Sequence, residues 1–119
     1  MAAITLILGA PPYGKQRIYT ALRFALASIY EGHSVNIFLL EDAVFAAKKG
    51  QNPQEMPGVL EGQMPNCGEM LKAAIAQGAT VRVCAVCASE RGISEGELVE
   101  GREIGSMREL VRWTIESDK

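Results

Sequence analysis

Much that would mark a functional class is scarce in this chain. Its 119 residues hold one histidine and three cysteines. Three cysteines are too few, and odd in number, for a disulfide framework, so a reducing, cytoplasmic setting is expected. A structural zinc site takes four ligands and a catalytic one takes three plus water. Cys67, Cys84 and Cys87 offer three at most, and a second Cys-x-x-Cys is missing. No metal is therefore expected. Neither charge is in excess: 12 basic residues stand against 14 acidic ones, for a net charge of −2. The basic residues are scattered, and the run from Glu90 to Glu103 is acidic. A phosphate backbone calls for a clustered basic face, so nucleic acid is not an expected partner. Long apolar runs are missing too. The longest, "VNIFLL", is strand-sized rather than membrane-sized. The start, "MAAITLILGAPP", has no positive n-region and no cleavage-site pattern, and reads as a first strand rather than a signal peptide. Aromatic residues make up 6% of the chain, but 48% hydrophobic content can fill one core. One domain over residues 1–119 is expected.

What is present alternates between strand and helix patterns. "AAITLILGA" is a continuous apolar run, as in a strand buried on both faces. From Lys15 to Tyr30, Ile18, Leu22, Ala25, Leu26 and Ile29 recur at helical spacing, and Gly32 stands at the C-terminal cap position. "SVNIFLL" is a second strand. Asp42 is placed to cap a short helix, "AVFAAKK", closed by Gly50. Residues 51–65 hold three prolines and two glycines, which predicts a long loop and a candidate lid. Asn66 is placed to cap a helix over Cys67–Gln77, with Met70, Leu71, Ala74 and Ile75 inward. "TVRVCAV" is a third strand, followed by an acidic connection over Ser89–Gly105. Ser106 and Glu109 form a capping box for a last helix, with Met107, Leu110, Val111 and Ile115 on its inner face. This alternation predicts an α/β fold around a parallel sheet, whose ligands bind beyond the carboxyl ends of the strands. Tyr13, Gly14, Glu41, Asp42, Cys67, Cys84 and Cys87 all fall at that edge, and His33 falls at the opposite one.

"GAPPYGK" satisfies the G-x-x-x-x-G-K spacing of a phosphate loop. Gln16 follows where a Ser or Thr would meet Mg²⁺, and Pro11 and Pro12 remove two N–H donors. A rigid strand-to-helix turn is the better reading, with Tyr13 walling a pocket. In "VRVCAVCASERGI" a redox dithiol would want a helix starting between its cysteines, and the pattern shows none there. Cys84 and Cys87 therefore read either as reactive thiols or as small buried hydrophobes. Cys67, in the polar turn "PNCGE" at a helix start, sits where backbone N–H groups favour a thiolate.

Six stretches in series carry a resemblance over most of the chain. They are "APPYG", "GHSVNIFLLEDAV", "GQ" in the loop, "VRVCAVCASERGI", "ELVEG" and "GSMRELVRWT". Together they resemble the DsrE/DsrF-like family, which takes in YchN-type proteins and TusD-type sulfur-relay subunits. The resemblance implies a three-layer α/β sandwich with helices on both faces of a mainly parallel sheet. It also implies assembly with itself, as a homotrimer or homohexamer. In sulfur-relay members a cysteine at the end of the strand matching "VRVC" carries a persulfide to a partner protein. That position is Cys84, with Cys87 auxiliary. No cofactor is implied, and sulfur donor and acceptor proteins would be the other partners. Arg91 is a candidate to steady the persulfide anion, unless it is an exposed turn charge. Two other functions stay open: a non-catalytic ligand- or partner-binding protein, and a redox-sensing Cys84/Cys87 dithiol. The family pattern also implies a final apolar strand after "WTIESDK", and without one an exposed sheet edge is expected.

Overall fold

The structure is a computed structural model and describes residues 1–53 and 65–119. One parallel sheet holds β1 (Ala3–Leu8), β2 (Ser34–Leu39), β3 (Thr80–Cys84) and β4 (Glu103–Gly105), side by side in chain order. Around it lie α1 (Arg17–Tyr30), α2 (Cys67–Ala76), α3 (Ala85–Glu90) and α4 (Met107–Glu116). Successive side chains of a strand point to opposite faces. Thr5 reaches α4, donating to the Trp113 carbonyl at 3.4 Å. Its neighbour Leu6 shares a hollow with Thr20, Ala21 and Phe24 of α1. So α1 and α4 cover opposite faces, and α2 packs beside α1. The result is three layers.

The sheet's middle strands carry the core. Ile37, Leu39, Val81 and Val83 are fully buried, as are Ile18 and Leu22 of α1 and Leu71 and Ala74 of α2. On the other face Phe38 meets Trp113 edge-on, with ring centroids 6.1 Å apart. The Arg82 guanidinium lies 5.2 Å from the Trp113 ring centroid and faces Glu103 and Glu109 at 3.5 and 3.6 Å. β4 fits beside this cluster because Gly105 has no side chain. A Cβ there would stand 2.8 Å from Phe38 Cε2 and 3.0 Å from Arg82 Cβ. The expected helix signals work locally. Gly32 takes φ +92° just after α1, Asn66 Oδ1 accepts the Glu69 N–H at 3.0 Å, and Ser106 with Glu109 boxes the start of α4.

Several expectations are corrected. β1 is not buried on both faces: it lies at the sheet edge, and Ile7 is 51% exposed. Its outer flank is paired as far as Thr5. The Thr5 N–H donates to the Lys119 carbonyl at 3.0 Å, and the Asp118 N–H donates to the Ala3 carbonyl at 2.8 Å. Asp42 does not cap a helix. A 3-10 helix already begins at Glu41, with Leu40 as its extended cap residue. The connection over Ser89–Gly105 is not all loop, since it holds the end of α3, a 3-10 turn at Glu95–Glu97 and β4. On α4, Leu110 is buried but Met107, Val111 and Ile115 face outward. Trp113 takes the inward position against Phe38 and rotates the apolar stripe away from the sheet. Most of the candidate lid, residues 54–64, lies outside the described residues.

Candidate functional site

Cys84 is the last residue of β3 and pairs with Gly105 of β4. Its backbone stays extended, at φ −61° and ψ 119°, and α3 begins at the next residue. Cys84 is therefore an N-cap, and Cys87 sits in the first helical turn. The Cys87 N–H donates to Cys84 Sγ at 3.4 Å. The helix that the sequence pattern failed to show does start between the two cysteines. Its six residues, "AVCASE", open with Ala-Val-Cys and read as more strand. Cys84 is buried, at 6% exposure, and Cys87 is half-buried. Burial pushes the Cys84 thiol above the usual thiol range, and the Cys87 N–H pulls against that shift.

Asp42 and Arg91 meet at this place. Arg91 Nε donates to Asp42 Oδ1 at 2.9 Å, and Arg91 Nη1 donates to the Cys87 carbonyl at 3.1 Å. The Asp42 carboxylate raises the Arg91 pKa. Arg91 is thus not a free turn charge: it ties the 3-10 helix after β2 to the first turn of α3. The backbone reaches Asp42 through Glu41, whose φ is +51°. Glu41 is the one non-glycine with positive φ among the described residues, and this conformation costs about 1–2 kcal/mol. Asp42 also borders an open hollow of about 440 Å³, lined in part by Leu8, Gly9, Pro11 and Lys15. Sequence reasoning placed Glu41 at the edge but missed its backbone, because a glutamate gives no left-handed signal.

Tyr13 and Cys67 belong to a second cluster. Cys67 is fully buried; its S–H donates to the Pro12 carbonyl at 3.3 Å and its N–H to the Tyr13 hydroxyl at 3.2 Å. The Tyr13 hydroxyl in turn donates to Gln51 Oε1 at 2.6 Å. Gln51 Nε2 donates to the Ala46 and Lys48 carbonyls, and Asn66 Nδ2 donates to the Gln51 carbonyl. Burial pushes both the Cys67 thiol and the Tyr13 phenol up. The cluster ties the loop after β1 to the start of α2, and Gly14, at φ +90°, turns the chain beyond it. Gln51, its hub, was missed: one glutamine in a proline-rich loop carries no signal. Among the described residues, no hydrogen bond joins this cluster to Cys84 or Cys87. His33 lies at the other end of the sheet, where its Nδ1 accepts the Ala2 N–H at 2.9 Å. Among the described residues no three of His, Cys, Asp and Glu gather as a metal site would need. No described helix is long and apolar enough to cross a membrane.

Comparison with known proteins supplies the context. The pattern of the DsrE/DsrF-like family matches residues 2–119. The chain belongs to the DsrE/DsrF-like family. An uncharacterised protein of Methanopyrus kandleri is 49% identical over 97% of this chain and 88% of its own length. Protein YchN of Escherichia coli is 35% identical over 100% of this chain and 97% of its own. The crystal structure of YchN superposes with a TM-score of 0.87, over the same shares of the two chains. A protein of unknown function from Methanobacterium thermoautotrophicum is 12% identical and covers 96% of this chain and 91% of its own, with a TM-score of 0.71. At that identity it speaks for the fold alone. The four-stranded parallel α/β fold thus matches the structure of YchN.

Proposed function

We propose that the protein is a cytoplasmic persulfide carrier that loads sulfur on Cys84 and yields it to a partner protein. One observation carries the reading. Cys84 ends a central strand at the carboxyl edge, with a backbone N–H aimed at its Sγ and a second thiol one helical turn away. The Cys84 thiolate attacks the sulfane sulfur of a donor persulfide, and the donor thiolate leaves. The acceptor's thiolate later attacks the outer sulfur of the Cys84 persulfide, and the Cys84 thiolate leaves in turn. Each step exchanges one S–S bond for another and needs neither cofactor nor metal. Near-burial slows other thiols from reaching the loaded sulfur, and the Cys87 N–H stabilises the Cys84 thiolate that attacks the donor and leaves on delivery. Self-assembly, as a homotrimer or homohexamer, belongs to the same proposal. The outward stripe on α4 supports it.

A second reading, a redox-sensing dithiol, is favoured by the start of α3 between the two cysteines. Intact-mass spectrometry after incubation with a sulfane-sulfur donor separates the readings. The carrier gains one sulfur atom; Cys84→Ser gains none, and Cys87→Ser still loads. A protein that only loses two hydrogens on oxidation is a dithiol sensor. A protein that does neither is a non-catalytic binding member of the family.

A further inference from the structure

The carrier reading leaves Cys87 without a task, yet the fold sets it at the loading site. Cys84 is the N-cap of α3 and Cys87 the third helical residue, so both side chains meet at one turn. The Cys87 N–H already contacts Cys84 Sγ at 3.4 Å. Cys87 is the more exposed of the two, so solvent reaches it. Arg91 holds the Cys87 carbonyl and is itself pinned by Asp42, which fixes the turn that carries the second thiol.

We propose that Cys87 clears an undelivered persulfide from Cys84, releasing hydrosulfide and closing a Cys84–Cys87 disulfide. This rests on the carrier reading. In a Cys84 persulfide the inner sulfur is Sγ itself, the atom beside Cys87. The outer sulfur is the one that an acceptor's thiolate attacks. The Cys87 thiolate attacks Sγ, an Sγ–Sγ bond forms, and the bond from Sγ to the outer sulfur breaks. That sulfur leaves as HS⁻ with the bonding pair. The proton lost by Cys87 goes to solvent or to the leaving sulfide. The outer sulfur is reduced from sulfane to sulfide, and the two cysteine sulfurs supply the two electrons, so no outside oxidant takes part. A dithiol reductant reopens the disulfide by thiol–disulfide exchange. The site then acts as a timer: a prompt acceptor receives sulfane sulfur, and a late one meets an oxidised, empty carrier.

The test loads the full-length protein with glutathione persulfide, desalts it quickly, and keeps it free of oxygen. Intact mass and released sulfide are followed together. The wild type should lose its added sulfur and two further hydrogens while releasing one sulfide per chain. Cys87→Ser and Cys87→Ala should hold their sulfur roughly tenfold longer or more, because the neighbouring attacking group is gone. Equal lifetimes in wild type and both variants overturn the inference and leave the carrier reading standing. So does a disulfide that appears without sulfide release. Failure of all three proteins to load sulfur overturns both.

Discussion

The three cysteines occupy three environments, and this sets their order of reaction. Cys67 has no exposed surface and gives its S–H to the Pro12 carbonyl. Cys84 is nearly buried, and Cys87 is open to solvent on one side. Native protein treated with iodoacetamide should therefore be modified at Cys87 first, at Cys84 more slowly, and at Cys67 only after unfolding. Peptide mapping over a time course reads this order, and early labelling of Cys67 would contradict it. The pH dependence has a definite sign. Thiolate is the reacting form, and a raised pKa means less thiolate at a given pH. Burial raises the Cys84 pKa, so its rate should climb through a midpoint above the roughly 8.5 of a free thiol. At this scale the sequence was partly legible. Cys84 and Cys87 declare themselves by spacing, Asp42 by its place at the edge, and Arg91 only through the family resemblance. That Arg91 joins Asp42 to the Cys87 carbonyl depends on a turn of the backbone at Glu41, which no residue type there announces.

Among the elements, legibility follows length and periodicity. α1 and α2 declare themselves through apolar spacing and, for α2, the Asn66 cap. β2 and β3 show as apolar, β-branched runs. The three residues of β4 are too few for any period, and α3 is hidden because its first residues continue the β-prone look of β3. β4 is held in place by what it lacks. Replacing Gly105 by alanine would drive a methyl into Phe38 and the Arg82 backbone-side carbon. Such overpacking costs about 1–3 kcal/mol. Gly96, in the 3-10 turn nearby, has nothing within 4 Å of a Cβ. Thermal denaturation should show Gly105→Ala clearly destabilised and Gly96→Ala little changed. Equal midpoints for the two would mean that β4 can shift away from Phe38 at no cost.

For the whole molecule, the telling feature is apolar surface that one chain leaves uncovered. The α4 pattern promised an inner stripe, but Trp113 holds the inward place and Met107, Val111 and Ile115 stand 57%, 55% and 78% exposed. On the opposite face Phe24 is 52% exposed beside the hollow it shares with Leu6. Two apolar patches on opposite faces give each chain two different contact surfaces, which a closed dimer would not use and a hexamer would. Burial of a side chain such as valine or isoleucine is worth about 1.5–3 kcal/mol, so covering the α4 stripe in each copy favours association. Sedimentation should show an assembly larger than a dimer at micromolar concentration. Val111→Glu with Ile115→Glu should reduce its size without loss of helix content, since neither side chain is packed in the single chain. A stable wild-type monomer would sink the proposal of self-assembly. The same variant separates assembly from chemistry. Cys84, Cys87, Asp42 and Arg91 all come from one chain and contact one another within it. The dissociated variant should therefore still gain one sulfur atom on Cys84. A loss of loading on dissociation would mean that a neighbouring copy completes the site.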